Sequence, residues 1–329
     1  MQRTVLVAGG AGYVGAHACL ALAQAGFRPV VYDNLSTGHA AFVQWGELET
    51  GDIRDADRLD AVIARHAPVA VLHFAALIEV GESVKEPGRF YENNVVGAIT
   101  LIEAARRGGI EAMVFSSTCA TYGDPVRLPM AEDHPQAPLN PYGRTKLMIE
   151  QALADYSTYA GFRSVCLRYF NAAGADEAGR IGERHHPETH AIPLALQTAL
   201  GQRQGFKLFG DDYDTRDGTA VRDYIHVTDL ADAHVRALTY LLDGGETTAF
   251  NLGTGTGTTV RELIDTIRRT TNQPFPVEIA PRRAGDAPCL VADNTRAREV
   301  LGWAPTRTLD DIVRTAWRWH AAEQERAGD

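Results

Sequence analysis

The chain has 329 residues, of which 45% are hydrophobic and 22% are charged, as in an ordinary globular protein. Its formal net charge of −10 argues against a nucleic-acid-binding protein, because such proteins normally present a basic face. The longest nearly apolar run, residues 69–78, is about half as long as a membrane-spanning helix. Composition therefore predicts a protein with no nucleic-acid partner and no membrane partner.

The N-terminus and the cysteines predict a cytoplasmic protein. Glycines and His17 interrupt the apolar stretch near the N-terminus, which makes a signal peptide a poor explanation. The cysteines are scattered in apolar surroundings and show no C-x-x-C spacing, so we expect free thiols in a reducing compartment.

The first half of the chain alternates short apolar runs with longer helical patterns. The apolar runs predict strands at 4–8, 29–33, 69–75, 112–117 and 164–170. The helical patterns lie at 13–26, 55–67, about 89–107 and 141–160. Continuously apolar strands separated by helices indicate a parallel sheet covered on both faces. We therefore predict an α/β fold with a Rossmann-like, doubly wound sheet and a ligand crevice at the carboxyl ends of its strands.

The second half is less regular. Loops rich in Gly, Pro, Asp and His interrupt short helical patterns at about 228–242, 259–271 and 308–320. No linker marks a boundary between the halves. We predict a Rossmann domain over residues 1–174 and a smaller C-terminal α/β lobe over residues 175–329 that binds substrate, with segments such as 225–255 returning to the first domain.

The stretch GGAGYVG places Gly9, Gly12 and Gly15 between the first predicted strand and the first predicted helix. In that setting backbone N–H groups and the helix N-terminus can face a pyrophosphate, whereas a glycine trio alone would also fit a tight turn. Asp33 ends the second strand, where a carboxylate accepts both ribose hydroxyls and repels a 2′-phosphate. The pattern predicts NAD as cofactor. Two further residues are expected to contact the adenine: Asp52 and Ile53.

Tyr142 and Lys146, in NPYGRTK, lie one helical turn apart on one face of a predicted helix. Hydride removal from an alcohol needs a base for the hydroxyl proton, and a free tyrosine has a pKa of about 10. The Lys146 ammonium and a positively charged nicotinamide ring would both lower that pKa. Thr118, at the end of a strand beside Ser116, can hydrogen-bond the same substrate oxygen. The alternative is a solvated helix face without a function.

Motifs along nearly the whole chain resemble the extended short-chain dehydrogenase/reductase family, and within it the UDP-glucose (UDP-galactose) 4-epimerases. These motifs include GGAGYVGAH, YDNLS, GDIRD, HFAALIEVGESV, FSSTCATYGD, NPYGRTKLMIE, LRYFNAAGA, DGTAVRDYIHVTDLADAHV, FNLGTG and PRRAGD. The resemblance implies reversible 4-epimerisation, with transient hydride transfer to tightly bound NAD through a 4-keto sugar. Tyr142 would be the base, Lys146 would hold the nicotinamide ribose, and Thr118 would bind the reacting oxygen.

The resemblance also implies a set of binding residues and a homodimer formed through the helices at about 89–107 and 141–160. Besides the residues already named, the expected cofactor contacts are Tyr13, Val14, Asn34, Phe74, Ala75, Ala76, Asn94, Ser116 and Tyr169. The expected UDP-sugar contacts, besides Thr118 and Tyr142, are Asn171, Phe209, Arg222, Tyr224, Arg283 and Asp286. Arg222 and Arg283 would clamp the diphosphate, because a guanidinium suits bidentate binding.

Several positions depart from the pattern of that family. Ile78 stands where several members have a lysine near the cofactor phosphates, and Thr118 stands where serine is frequent. His190 and Ala191 replace an Asn-Leu pair that contacts the sugar nucleotide. Leu290 replaces a bulky tyrosine that excludes 2-acetamido sugars, so other UDP-sugars, including UDP-N-acetylhexosamines, UDP-glucuronate and UDP-pentoses, remain alternative substrates.

Other functions explain the sequence less well. Nucleotide-sugar dehydratases carry Asp-Glu where this chain has Cys119 and Ala120, and a non-catalytic NAD sensor would not need tyrosine, lysine and threonine together. Arg222 could instead pair with Asp223 or Asp229 on a surface, and Arg283 with Asp286. Histidines in HHPETH, together with Glu183 and Glu188, suggest a metal, but Pro187 prevents a helix that would align His186 with His190, so no metal site is predicted.

Overall fold

The structure is a computed structural model that describes residues 2–283 and 285–328. Its strands are β1 (Thr4–Ala8), β2 (Arg28–Asp33), β3 (Glu47–Thr50), β4 (Ala70–His73), β5 (Ala112–Thr118), β6 (Arg163–Tyr169), β7 (Asn171–Ala173), β8 (Phe206–Phe209), β9 (Val221–Arg222), β10 (Tyr224–His226), β11 (Thr248–Leu252), β12 (Thr258–Thr259), β13 (Val277–Ala280) and β14 (Cys289–Leu290). Its α-helices are α1 (Tyr13–Gln24), α2 (Ala56–His66), α3 (Val80–Lys85), α4 (Pro87–Phe90), α5 (Gly97–Arg107), α6 (Pro141–Ala160), α7 (Ala191–Ala199), α8 (Val227–Leu242), α9 (Val260–Thr271), α10 (Thr295–Leu301) and α11 (Leu309–Gly328).

A parallel sheet of seven strands forms the centre of the molecule, in the order β11-β6-β5-β4-β1-β2-β3. Helices α1 and α8 bury their apolar residues on one face, and α2, α5 and α6 bury theirs on the other. The predicted doubly wound sheet is therefore confirmed.

Two of the seven strands, β3 and β11, were not among the predicted strands. Each lies at an edge of the sheet and carries polar residues, in the sequences ELET and TAFNL. An edge strand pairs with only one neighbour and needs fewer apolar residues, so its pattern is weak. Because β11 follows α8 and pairs with β6, the second half of the chain returns to the central sheet.

A smaller lobe is built from the parallel pair β8–β13, the three-stranded sheet β12-β9-β14 and helices α7, α9 and α11. Its own apolar core includes Ile192, Leu196, Phe206, Leu263, Ile267 and Ile312. Among the described residues, no helix combines the length and the apolar composition that crossing a membrane requires.

The parallel topology places the carboxyl ends of the central strands along one edge. Strand β1 lies between β2 and β4, so the connections on either side of it turn to opposite faces and leave a crevice there. The segments that carry the predicted site residues leave the sheet at this edge: the glycine turn after β1, Asp33 at the end of β2, residues 74–76 after β4, and Thr118 at the end of β5.

Candidate active site

The glycine turn after β1 is fixed by close backbone packing. Gly9 has a φ of +82°, and a Cβ on it would lie 2.4 Å from the Ala75 nitrogen, while a Cβ on Gly15 would lie 2.2 Å from the Gly9 oxygen. At Gly12 the nearest atom would be 3.4 Å away, which is ordinary contact, so this residue opens onto free space. No side chain caps the N-terminus of α1 at Gly12. The turn thus offers an anionic group close access to a helix N-terminus.

Asp33 is positioned beside this turn by the backbone. Its carboxylate accepts hydrogen bonds from the Ala11 nitrogen at 3.0 Å and from the Leu35 nitrogen at 2.8 Å. Burial raises the pKa of Asp33, and these two bonds partly oppose that shift. The geometry fits a ribose-binding carboxylate and a pyrophosphate cradle, so the chain's residues are suited to a dinucleotide.

The residues expected at the adenine are placed next to Asp33. Asp52 is held by the Arg54 guanidinium at 2.8 Å and by the Asn34 amide at 3.0 Å, and the Arg54 hydrogen bonds lower the pKa of Asp52. Ile53 is buried against Gly97 at the start of α5. Direct contact of Asp52 and Ile53 with adenine stays a prediction.

The segment after β4 forms the opposite wall of the crevice. The Phe74 ring packs on His234 with centroids 4.7 Å apart, and Ala75 closes on the glycine turn, with Ala76 next to it. Asn94 is fully buried, and its side-chain oxygen accepts from the Leu77 nitrogen at 2.8 Å. The amide nitrogen of Asn94 donates to the Leu77 oxygen and to Thr145. Asn94 therefore shapes the wall and fastens it to α6.

Helix α6 presents the predicted catalytic pair. Asn140 caps it by accepting from the Gly143 nitrogen at 2.9 Å, Pro141 is its first residue, and Gly161 ends it in a left-handed conformation. The buried Lys146 ammonium donates to the Ser116 carbonyl oxygen at 2.8 Å and lies 6.0 Å from the centre of the Tyr142 ring. The Ser116 hydroxyl is 2.6 Å from the Tyr169 hydroxyl.

Burial governs the ionisation of this pair in the protein without a cofactor. Burial raises the pKa of Tyr142, and the Tyr169 hydroxyl adds to the increase, whereas a hydrogen bond with Thr118 lowers it in part. Burial also lowers the pKa of Lys146 to about 7, with Glu150 opposing the shift. The lowering of the Tyr142 pKa by Lys146 together with a positively charged nicotinamide ring stays a prediction.

The expected substrate residues converge on one wall of the smaller lobe. The Arg222 guanidinium donates to the Ala287 oxygen at 2.9 Å and lies 3.8 Å from the Asp286 carboxylate. Arg283 donates to Asp286 at 2.9 Å and lies 4.8 Å above the Phe209 ring. Burial raises the pKa of Tyr224 to about 12, while Arg222 and Arg283 oppose the shift. Asn171 begins β7, which pairs with the strand of Tyr224.

The alternative pairing of Arg222 with Asp223 or Asp229 on a surface is wrong. Asp229 is buried and binds Thr306 and Arg307. Asp223 is fully buried and accepts from the backbone nitrogens of Thr254, Gly255 and Ala292. Asp223 thus holds the glycine-rich loop after β11 against the strand of Arg222, a role that sequence reasoning missed. The pairing of Arg283 with Asp286, by contrast, is present.

The remaining expected cofactor residues lie close to the turn. The Tyr13 hydroxyl donates to the Gly174 oxygen at 2.6 Å, which joins the start of α1 to the end of β7. Val14 packs on the core between α1 and α8. These contacts position the turn, and direct contact of either side chain with a cofactor stays a prediction.

The chain is similar in sequence and structure to known proteins. The sequence profile of the NAD dependent epimerase/dehydratase family matches residues 5–253. A UDP-glucose 4-epimerase of Rhizobium leguminosarum bv. trifolii is 66% identical over 323 residues, which are 98% of this chain and 99% of the relative. The crystal structure of UDP-glucose 4-epimerase from Brucella ovis in complex with NAD is 52% identical, covers 96% of this chain and 98% of its own, and superposes with a TM-score of 0.94. A UDP-glucose 4-epimerase from Stenotrophomonas maltophila with bound NAD and formylated UDP-arabinopyranose is 42% identical, covers 99% of this chain and 100% of its own, and has a TM-score of 0.97.

Gly12 lies beside open space, so a substitution there tests cofactor binding without disturbing the packing of the fold. We expect Gly12→Ala to keep the unfolding temperature of the cofactor-free protein, because the methyl group meets no atom closer than 3.4 Å. The same methyl group should block a pyrophosphate and weaken dinucleotide binding about tenfold or more. Gly15→Ala is the matched control: its 2.2 Å clash should cost about 1–3 kcal/mol of stability. Dinucleotide released on denaturation and thermal melts measure both effects, and full retention of dinucleotide by Gly12→Ala would contradict the assignment.

Proposed function

Because this chain belongs to the NAD dependent epimerase/dehydratase family, we propose that it interconverts UDP-glucose and UDP-galactose by oxidation and reduction at C4 of the sugar. The observation that supports the proposal is that Lys146 donates to Ser116 near the carboxyl end of β5, at the same edge of the sheet as the glycine turn after β1 and Asp33 at the end of β2. The family resemblance seen in the sequence and the expected NAD cofactor are confirmed.

The residues of this chain suit the proton step of such a reaction. NAD, when bound, supplies a reversible hydride acceptor and a positively charged ring. Tyr142 takes the proton of the 4-hydroxyl group, and Thr118 steadies the same oxygen while its own oxygen accepts from the Ala120 nitrogen at 3.1 Å. The Lys146 amino group is held by the Ser116 carbonyl oxygen. It would donate hydrogen bonds to the cofactor ribose and stabilise the nearby phenol. Burial disfavours the charged forms of Tyr142 and Lys146, so a positive charge on the bound cofactor would favour the phenolate.

Epimerisation also requires that the oxidised sugar turn while the nucleotide stays in place. The UDP group is the natural anchor, because Arg222 and Arg283 stand on the wall formed by β9, residues 281–283 and residues 285–286. Phe209, beneath the Arg283 guanidinium, offers a face for the uracil, and Asp286 offers a carboxylate for the uridine ribose. We infer that binding energy from this wall holds the substrate through both hydride steps, with residues 1–174 serving the cofactor and residues 175–329 the UDP-sugar.

Leu290 favours a second candidate substrate class. It lies on β14, where it is paired with Arg222 on the neighbouring strand, and it packs with Tyr122 and Met130. A leucine occupies less space than a tyrosine at a position beside the diphosphate clamp. UDP-N-acetylhexosamine is therefore a candidate substrate next to UDP-hexoses.

We also propose a homodimer formed by the outer faces of α5 and α6. Met148 and Tyr159 on α6 are 44% and 85% exposed, and Val96 before α5 is 53% exposed. On α6 these side chains flank a hollow of about 280 Å³ lined by Ala152, Asp155, Tyr156, Tyr159 and Ala160. An apolar helix face of this kind is typical of a protein contact.

Removal of the Tyr142 hydroxyl tests the proposed reaction. We expect Tyr142→Phe to lower kcat about 10³-fold, because general acid–base catalysis contributes about 10²–10⁴-fold, while bound NAD is retained. The assay follows UDP-glucose formed from UDP-galactose without added NAD by anion-exchange chromatography. Tyr159→Phe, on the exposed side of the same helix, is the control and should leave kcat unchanged. If Tyr142→Phe is as active as the wild type, Tyr142 is not the base. If the wild type is inactive even when NAD is supplied, UDP-galactose is not the substrate, and UDP-N-acetylhexosamines are to be assayed next.

Two adjacent arginines test the diphosphate clamp. We expect Arg283→Ala to raise KM for UDP-galactose about tenfold with little change in kcat, because the contact is made equally in ground and transition states. Arg282 lies one residue earlier but binds Asp212 at 2.7 Å and stacks on Tyr213 at 4.3 Å. Arg282→Ala should therefore leave KM within about twofold. Equal effects of the two substitutions on KM would contradict the assignment.

Analytical ultracentrifugation tests the homodimer. The wild-type protein should sediment at twice the chain mass of 35.7 kDa. The double variant Met148→Glu, Tyr159→Asp should sediment as a monomer, because it buries charge in the proposed contact. Ile279→Glu, at a position that is 58% exposed in the smaller lobe, is the matched control and should stay dimeric. A monomeric wild type at micromolar concentration would rule the interface out.

A further inference from the structure

Four side chains of the segment 183–190 converge outside the catalytic pair: Glu183, His185, Glu188 and His190. We propose that they form a structural site for a divalent transition metal, with Zn²⁺ as the best match. This inference goes beyond the proposed reaction and reverses the sequence-based expectation of no metal site. That expectation considered His186 with His190 on a helix, whereas the segment is irregular and brings His185 to the cluster instead.

The distances between the donor atoms match those of a tetrahedral metal site. The Nδ1 atom of His190 is 3.0 Å from Oε1 of Glu183 and 3.0 Å from Oε1 of Glu188. The Nδ1 atom of His185 is 3.4 Å from Oε1 of Glu183 and 3.6 Å from the other carboxylate oxygen of Glu188, Oε2. Ligands about 2.0–2.2 Å from a tetrahedral zinc ion lie about 3.3–3.6 Å from one another. The His185 distances fall within that range, and the His190 distances are somewhat shorter.

One donor atom is left without a partner. Nδ1 of His185 is buried and makes no hydrogen bond within the described chain, although it points towards both carboxylates. A buried, unpaired ring nitrogen is costly, and a metal ion between the four donors would satisfy it.

The charge of the cluster also calls for a cation. The side chains of Glu183 and Glu188 are each only 5% exposed. Within residues 2–283 and 285–328, neither carboxylate forms an ion pair with an arginine or a lysine, whereas the buried Glu49 and Glu150 each pair with an arginine. Two buried carboxylates without such partners can be balanced by one divalent cation held with two neutral imidazoles. The alternative is a proton on each imidazole, because the carboxylates outweigh burial and raise the pKa of His185 to about 9 and that of His190 to about 10 in the metal-free chain. Tyr13 and His320 also face the cluster, and neither supplies a fixed charge.

The donor set selects the metal. Imidazole nitrogen favours zinc and its transition-metal neighbours over Mg²⁺ and Ca²⁺, which prefer all-oxygen sites. Because the protein fills four positions, the site is closed and structural, with no open position for a substrate.

The segment joins the cofactor side of the molecule to the last helix. The His185 ring lies edge-on to Tyr13, with centroids 6.4 Å apart, and Nε2 of His39 is 3.2 Å from the Arg184 oxygen. The Trp319 indole donates to the Glu183 oxygen at 3.0 Å. A metal in the cluster would therefore fasten α11 and the start of α7 to the region of the glycine turn.

The experiment uses the full-length protein without a histidine tag. It is treated with a chelator, dialysed, reloaded with ZnCl₂ or CoCl₂ and desalted. We expect about one zinc per chain by plasma mass spectrometry, the visible absorption of tetrahedral Co²⁺, and an unfolding temperature about 5 °C higher or more than that of the chelated protein. His185→Asn and Glu188→Gln should each weaken zinc binding about 100-fold or more.

His66→Asn is the matched control. His66 lies in the other His/Glu group, with Glu47 and Glu49, but there Glu49 is already paired with Arg58 and Arg65. This variant should keep the full zinc content, and equal loss of zinc from His66→Asn and His185→Asn would place the metal elsewhere and overturn the proposal. The wild-type protein by itself also tests the proposal. If it retains no zinc and shows no spectrum of tetrahedral Co²⁺, the carboxylates are balanced by protons on the two histidines and not by a metal.

Discussion

The backbone contact between the glycine turn and the end of β4 is the constraint on which the site depends. Gly9 and Gly15 have no Cβ atom, and a Cβ atom at either position would clash with the neighbouring backbone. The start of α1 can therefore approach both Ala75 and the first strand. That approach opens the crevice at the point where the strand order reverses. Asp33, held by the Ala11 and Leu35 nitrogens, then faces the same crevice from β2. The geometry of the glycine turn and of Asp33 is therefore set by backbone packing.

Buried carboxylates connect this crevice to the rest of the molecule. Glu150, one turn after Lys146 on α6, binds Ser117 and the buried Arg168, which fixes the helix against β5 and β6. In the smaller lobe, Asp223 accepts hydrogen bonds from backbone nitrogens of the loop after β11 and from the nitrogen of Ala292. It thereby holds both segments against the strand of Arg222. Breaking such a buried pair is costly because it leaves an uncompensated charge. The Tyr142–Lys146 pair and the wall that carries Arg222 and Arg283 are thus held by buried carboxylates outside the set of residues proposed to bind substrate.

Burial also affects the ionisation of the Tyr142–Lys146 pair. Desolvation raises the pKa of Tyr142 and lowers that of Lys146, so burial disfavours the charged form of each. A positive cofactor ring beside the phenol would oppose that effect on Tyr142. In the proposed reaction, the oxidised cofactor would thus favour proton removal by Tyr142.

The sequence by itself determined the alternation of the central strands and helices, the glycine turn, Asp33 and the Tyr142–Lys146 pair. Each of these features follows from the spacing of residues that are close in the sequence. Helices and strands have a fixed side-chain period, so a local pattern states which residues share a face. Only the tertiary structure decided that Phe209, Arg222 and Arg283 meet on one wall, that Asp223 is buried, and that β3 and β11 complete the sheet. It alone also decided that His185 rather than His186 joins His190, since an irregular segment has no period and its side-chain directions follow from the packing around it. The direction of the Tyr142 pKa shift belongs to the same class, because desolvation is a property of the assembled cleft.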